Sequence, residues 1–278
     1  MTVGIVTGAA RGMGAACATR VADMVDVLLV ADRDEERLGG TVRRLTSGPP
    51  RAEVEPFALD VRDRDQVDRL VARASELGTL RAVAHAAGVS PTMGDWRDML
   101  VIDLVGTALL VDACRPFATR GTAIVCFASV APLLAMADAD VAADAVLDDP
   151  LDDGFIEGIR EAVGPEIEDP GMAYTWAKRG VHRLVRREAA AFGRLGARIC
   201  SVTPGIIDTP MGKQEGAARP TTDMLVQLSP LGREGMAEEV AAAVAFLLSD
   251  EAAFVTGIDL PVDGGIAAAI RSGGSTLG

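Results

Sequence analysis

A glycine-rich turn set between a strand and a helix constrains this chain more than any other feature. Thr7-Gly8-Ala9-Ala10-Arg11-Gly12-Met13-Gly14 follows the strand-like run Val3–Thr7 directly and opens a helical stretch, Gly12–Met24. Glycines there let the backbone turn tightly and approach a pyrophosphate. The phosphates then rest on the helix N-terminus, with its free N–H groups and positive dipole end. A glycine-rich turn alone is weak, but a strand before it and a helix after it make the signal strong. Gly8, Arg11, Gly12, Met13 and Gly14 are the expected phosphate cradle.

Further along, short apolar runs alternate with longer amphipathic ones. Strands are expected at Val3–Thr7, Asp26–Ala31, Glu53–Leu59, Arg81–Ala86, Thr122–Ala128, Arg198–Thr203 and Ile258–Pro261. They are rich in Val, Ile and Ala with little period-2 alternation, as in parallel strands covered on both faces. Helices are expected between them at Asp34–Leu45, Arg64–Leu77, Trp96–Arg115, Tyr174–Leu195 and Ala237–Leu248. That alternation predicts an α/β fold, a doubly wound parallel sheet of Rossmann type with seven strands. No linker or repeat divides the chain, so residues 1–278 read as one domain with an insertion at roughly 138–170.

Charge and composition narrow the partners. The net charge of −13 argues against nucleic acid or an anionic membrane. No run of eighteen apolar residues is present, so no membrane span is expected. The N-terminus enters a strand with no secretory pattern, which predicts a cytoplasmic protein. The cysteines at 17, 114, 126 and 200 lack metal-ligand spacing, so neither a disulfide nor a metal is expected.

Three further positions carry chemistry. Asp32 ends the second strand, where a carboxylate accepts hydrogen bonds from both ribose hydroxyls and repels a 2′-phosphate. It favours NAD(H) over NADP(H), while Arg11 and Arg33 are the cations that a 2′-phosphate would use. Tyr174 and Lys178 are four residues apart on a helix, hence stacked on one face. An ammonium beside a phenol favours the phenolate, so the phenol's pKa should fall from about 10 toward working pH. Lys178 and Lys213 are the chain's two lysines, against twenty-five arginines. Ser129 closes the apolar run Cys126-Phe127-Ala128.

These residues resemble the short-chain dehydrogenase/reductase family in its single-domain form, over nearly the whole chain. The resemblance matches Gly8, Gly12 and Gly14 to the family's glycine loop, and Asp60-Val61 to its adenine-binding Asp. It matches Ser129, Tyr174 and Lys178 to its catalytic residues. Pro204-Gly205-Ile206-Ile207-Asp208-Thr209 matches the segment whose Ile207 and Thr209 would contact the nicotinamide carboxamide. It implies that Ser129 holds a substrate oxygen near Tyr174, which exchanges a proton with it. Lys178 would depress the phenol pKa and bind the nicotinamide ribose. The implied activity is NAD(H)-dependent interconversion of a secondary alcohol and a ketone or aldehyde.

Two positions depart from the family. Its helix Asn falls on Asp103, which adds a negative charge and can pair with Lys178; Asp103 joins the catalytic set on that ground. Its Asn-Asn-Ala-Gly reads His85-Ala86-Ala87-Gly88, where Ala87 and Gly88 can keep backbone contacts to the cofactor and His85 reads as structural.

Ser129 and Tyr174 are separated by a segment holding twelve acids between 138 and 169 and one base, Arg160. Two helices are expected in it, Ala139–Leu147 and Gly154–Val163, the second with Phe155, Ile159 and Val163 on one stripe. The stripe is expected to pack on its own domain. A further reading has the insertion cover the helices around 96–115 and 174–195, leaving Ala237–Pro261 as the interface of a homodimer, with a homotetramer as the other outcome. The insertion and the ending Val262-Asp263-Gly264-Gly265-Ile266 resemble the bacterial 3α-hydroxysteroid dehydrogenase/carbonyl reductase subgroup, which implies an apolar alcohol or ketone. Met211, Met224, Leu225 and Leu228, in an expected lid at Pro210–Leu228, would line its pocket. The rivals are a catalytically silent NAD-binding regulator, which Asp103 would permit, and an epimerase or dehydratase, for which the chain has no second domain.

Overall fold

A computed structural model describes residues 1–48, 52–135, 140–218 and 221–272. The chain runs through β1 (Thr2–Thr7), α1 (Gly12–Val21), β2 (Val27–Asp32), α2 (Glu35–Thr46), β3 (Glu53–Ala58), α3 (Arg64–Leu77) and β4 (Thr79–His85). Then follow α4 (Trp96–Leu100), α5 (Gly106–Cys114), β5 (Ala123–Phe127), α6 (Ala131–Ala135), α7 (Val141–Leu147), α8 (Phe155–Val163) and α9 (Pro170–Arg194). The last elements are β6 (Arg198–Pro204), β7 (Ile207–Asp208), α10 (Pro210–Ala218), α11 (Thr221–Leu228), β8 (Gly235–Met236), α12 (Ala237–Leu248), β9 (Asp259–Val262) and α13 (Ile266–Arg271).

Seven strands form one sheet in the order β3-β2-β1-β4-β5-β6-β9, every pairing parallel. Both β2 and β4 pair with β1, so the chain reverses its direction of travel there and opens a crevice at the carboxyl ends of the strands. Helices bury the sheet on both sides. On one face Val6, Val21, Leu38, Val240 and Val244 share an apolar cluster; on the other Ile5, Val67, Leu70, Leu104, Val181 and Phe192 do. All seven expected strands are present, within one or two residues of their expected bounds.

Many of the acids serve as helix caps. The carboxylates of Asp34, Asp63, Asp140 and Asp169 accept backbone N–H groups at the starts of α2, α3, α7 and α9. Each satisfies donors that the first turn leaves unpaired.

The helical stretch expected at Trp96–Arg115 is interrupted. Between α4 and α5 a π-turn spans Val101–Val105 and carries Asp103 at its centre, fully buried. The expected helix Gly12–Met24 stops at Val21. The small β7–β8 sheet and the helices α6, α10, α11 and α13 went unforeseen; the sequence marked Pro210–Leu228 only as a lid. In the insertion, α7 begins at Val141 with Asp140 as its cap; Asp138 and Ala139 lie outside the described residues. Leu147, Phe155, Ile159 and Ile167 are buried in the same cluster as α4, α5 and α9. Among the described residues no helix is long and apolar enough to cross a membrane.

Candidate active site

A cavity of about 420 Å³ opens at the carboxyl ends of the central strands. The glycine turn forms one end of it. Gly8 and Gly12 have φ of +66° and +56°, in the left-handed region where a side chain is strained. A Cβ on Gly14 would stand 2.1 Å from the Gly8 carbonyl oxygen, so only glycine lets α1 start this close to β1. No side chain caps α1, and its first-turn N–H groups remain available to an anion.

Asp32 sits at the rim of this end. Its Oδ2 accepts the Ala10 N–H and its Oδ1 the Asp34 N–H, both at 3.0 Å, which tie the carboxylate to the glycine turn. Arg11, Arg33 and Arg37 line the same end, and Arg37 is paired with Asp34 at 3.2 Å. Asp60 lines the cavity with Val61, but its carboxylate is forked by Arg62 at 2.6–3.1 Å. That guanidinium holds the Asp60 carboxyl below its ordinary range. Arg62 was missed in the sequence, although a base two residues after an acid was a visible cue.

At the other end α9 places Tyr174 and Lys178 on one face. Lys178 Nζ stands 5.5 Å from the Tyr174 ring centre and donates to the Phe127 carbonyl at 3.1 Å, which pins the ammonium under the end of β5. Ser129 follows two residues later; its Oγ accepts the Ala131 N–H at 3.2 Å and keeps its own proton to donate. Ser129, Tyr174 and Lys178 line the cavity together with Gly8, Arg11, Gly12, Met13, Gly14, Asp32, Asp60, Val61, Ala87, Gly88, Ile207 and Thr209.

Asp103 does not line it. The carboxylate lies behind Gly88, where a Cβ would come within 2.7 Å of Asp103 Oδ1 and 3.5 Å of Lys178 Nζ. Oδ1 accepts the Val89 N–H at 2.9 Å and is 3.6 Å from Lys178 Nζ. Burial pushes the Asp103 pKa up, against the opposing pull of Lys178 and the Val89 N–H. Asp103 therefore reaches the cavity through Lys178 and the Val89 backbone rather than directly.

His85 is structural, as its sequence context suggests. Thr107 Oγ1 donates to the Asp103 carbonyl at 2.7 Å and so accepts from His85 Nε2 at 3.0 Å. His85 Nδ1 then accepts from Thr7 Oγ1 at 2.7 Å, and Thr7 Oγ1 accepts the Ala87 N–H at 3.3 Å. Burial, helped by Lys178, holds the imidazole pKa down to about 3, so it stays neutral.

Val89, Pro91, Met93, Leu134, Met211 and Leu225 give the cavity an apolar part. Of the residues expected in a lid, Met211 and Leu225 take part, Met224 is exposed, and Leu228 does not line the cavity. Residues 219–220 of that segment lie outside the described residues. Pro91 and Met93 sit on a connection and Leu134 in the five-residue helix α6, none of them in a periodic pattern, which is why the sequence did not mark them.

Comparison with known proteins agrees with this geometry. The enoyl-(acyl carrier protein) reductase family, adh_short_C2, matches residues 8–145 and 161–267. Cis-4-hydroxycyclohexanecarboxylate dehydrogenase of Sinomonas cyclohexanicum is 31% identical, covering 96% of each chain. Levodione reductase of Leifsonia aquatica is 31% identical over 95% of this chain and 94% of its own. A crystal structure of levodione reductase superposes with a TM-score of 0.72 at 28% identity, over 96% of this chain and 98% of that one.

The chain belongs to the short-chain dehydrogenase/reductase family. It is an NAD(P)-dependent oxidoreductase acting on CH–OH groups, and it interconverts secondary alcohols with carbonyl compounds. The residues fit a nicotinamide dinucleotide. The uncapped start of α1 suits its pyrophosphate, and the close approach that Gly14 permits leaves the backbone bare there.

Proposed function

We propose that this enzyme uses NAD(H) to interconvert an apolar, ring-bearing secondary alcohol and its ketone in the cytoplasm, with hydroxysteroids among the candidate substrates. The observation that carries the reading is that Ser129, Tyr174 and Lys178 share one cavity with the glycine turn and Asp32. When bound, the nicotinamide supplies or accepts the hydride.

The protein's own residues handle the oxygen and its proton. Ser129 donates a hydrogen bond to the substrate oxygen and orients it. Tyr174 gives that oxygen a proton in reduction or takes one in oxidation. Lys178 stabilises the phenolate, and Asp103 sets the charge felt by Lys178 from behind the cavity wall. Gly8, Gly12, Met13 and Gly14 would receive the pyrophosphate, Asp60 and Val61 the adenine, and Ala87, Gly88, Ile207 and Thr209 the nicotinamide half.

Asp32 supports NAD(H), because a 2′-phosphate would meet a carboxylate already fixed by two backbone N–H groups. The apolar lining from Val89 to Leu225 supports an apolar substrate. The name of the Sinomonas cyclohexanicum relative, a cis-4-hydroxycyclohexanecarboxylate dehydrogenase, supports a ring-bearing secondary alcohol. Exposed Phe246 and Phe254 beside the edge strand β9 support a homodimer through α12 and β9.

The test is NADH and NADPH oxidation with cyclohexanone, levodione and a 3-ketosteroid, for wild type, Tyr174→Phe and Asp32→Ala. Tyr174→Phe is expected to lose activity at least about a hundredfold, and Asp32→Ala to gain on NADPH relative to NADH. Wild-type oxidation no faster than that of Tyr174→Phe, with both near zero, would leave the silent-regulator reading standing, and full activity in Tyr174→Phe would refute the acid–base assignment. A tetramer by light scattering would refute the dimer.

A further inference from the structure

The insertion before α9 grips the helix that carries Tyr174 and Lys178. The following turns of α9 present arginines at 179, 183, 186 and 187, a basic stripe at helical spacing. Asp144 of α7 accepts a two-pronged bond from Arg179, Nε and Nη2 donating at 2.6 and 2.7 Å. Arg183 Nη1 stands 2.9 Å from the same carboxylate. One turn along α7, at its C-terminal end, Asp148 accepts a second fork from Arg183, at 2.8 and 2.6 Å.

These contacts differ from ordinary surface pairs. Asp144 is buried, and both forks have the bidentate geometry that gives an ion pair direction as well as attraction. The Arg179 guanidinium also lies over the Trp176 ring, 5.7 Å from its centre. Behind them Leu147, Phe155, Ile159 and Ile167 pack into the cluster that α9 shares with α4 and α5. Arg179 is the chain neighbour of Lys178, and Trp176 lies between Lys178 and Tyr174. Fixing Arg179 and Trp176 on the outer face therefore fixes the rotation of the turns that aim Tyr174 and Lys178 inward.

We propose that Asp144 and Asp148 are positioning residues for the acid–base pair, and that the insertion clamps the start of α9 at its working rotation. The proposal rests on Tyr174 being the proton donor and acceptor. On the inner side Lys178 is anchored by a bond to the Phe127 carbonyl and a longer contact with Asp103. A displacement of about 1 Å at a reacting group can cost about a hundredfold in rate. A clamp on the opposite face removes that freedom.

The experiment compares full-length wild type, Asp144→Asn, Asp148→Asn, the double variant and Tyr174→Phe, with NADH and cyclohexanone. In the double variant kcat is expected to fall about ten- to a hundredfold. NADH binding, read by fluorescence, weakens by a smaller factor than kcat, because the phosphate cradle is built on other elements and only the Lys178 contact to the nicotinamide ribose depends on α9. The absorbance midpoint of the Tyr174 phenolate rises, and Asp144→Glu recovers part of kcat. A lower melting temperature with unchanged kcat per folded molecule and an unchanged midpoint would make the insertion a plain cover and overturn the proposal. Should the double variant not fold, Asp148→Asn alone, which leaves the Arg179 fork in place, must show the same changes at smaller size, or the proposal falls. If Tyr174→Phe is as active as wild type, the acid–base assignment is at fault. If it is inactive while the aspartate variants match wild type, the clamp is.

Discussion

The Asp103 carboxylate stands 3.6 Å from the Lys178 ammonium with both groups buried, and its second oxygen, Oδ2, has no hydrogen-bond partner among the described residues. A carboxylate so placed takes part of the field that Lys178 would otherwise spend on Tyr174. Replacing it by the neutral amide in Asp103→Asn removes a negative charge near the phenol. The phenolate is then easier to form, and the phenol that donates in reduction is lost at lower pH. The alkaline limb of kcat/KM for ketone reduction is expected to move down by roughly one pH unit. Rate profiles of the two proteins check this, and superimposable limbs would refute it.

His85 makes stability depend on pH on the acid side. Its pKa falls from 6.5 in the unfolded chain to about 3 in the fold, where burial disfavours the imidazolium. Below the unfolded value the unfolded chain takes up a proton that the folded one refuses. The stability tied to His85 is thus present above 6.5 and lost as pH falls toward 3. Urea midpoints of wild type should decline across that window more steeply than those of His85→Gln. Parallel curves would show that the buried ring carries no such linkage.

Gly14→Ala tests the phosphate cradle. Its Cβ would fall 2.1 Å from the Gly8 carbonyl oxygen, a backbone atom that cannot rotate away. Either α1 retreats or the turn opens, and both moves spoil the approach to the pyrophosphate. NADH affinity is expected to drop more than about tenfold, equivalent to about 1.4 kcal/mol. Wild-type affinity measured by titration would mean that the phosphates bind elsewhere.

Legibility in the sequence followed burial and periodicity. Strand runs such as Val27–Asp32 and Arg198–Pro204 were readable because parallel strands covered on both faces stay apolar throughout. Tyr174 and Lys178 were readable because a regular helix turns sequence spacing into a shared face. The π-turn at Val101–Val105 was not, since the run from Met99 to Val111 is apolar almost throughout and has no stripe whose phase an extra residue could visibly shift. That turn decides that Asp103 points behind Gly88 rather than into the cavity. The grip of Asp144 and Asp148 on Arg179 and Arg183 was equally hidden. The acids and bases were visible as separate runs, and only the path of the insertion pairs them residue by residue.

Tyr174 is the one tyrosine in the chain, so its ionisation can be watched directly. The near-ultraviolet band of the phenolate grows only as this phenol loses its proton, because the two tryptophans do not ionise over the same range. With Lys178 Nζ 5.5 Å from the ring centre, the midpoint is expected below the value of about 10 for a free phenol. Lys178→Gln should return it toward that value, and Asp103→Asn should carry it lower still. The midpoint should also coincide with the kinetic limb for ketone reduction in each protein, since one proton governs both. A wild-type midpoint at or above about 10 would show that Lys178 does not tune the phenol. Agreement of the optical and kinetic values across all three proteins would place the proton that moves in catalysis on Tyr174.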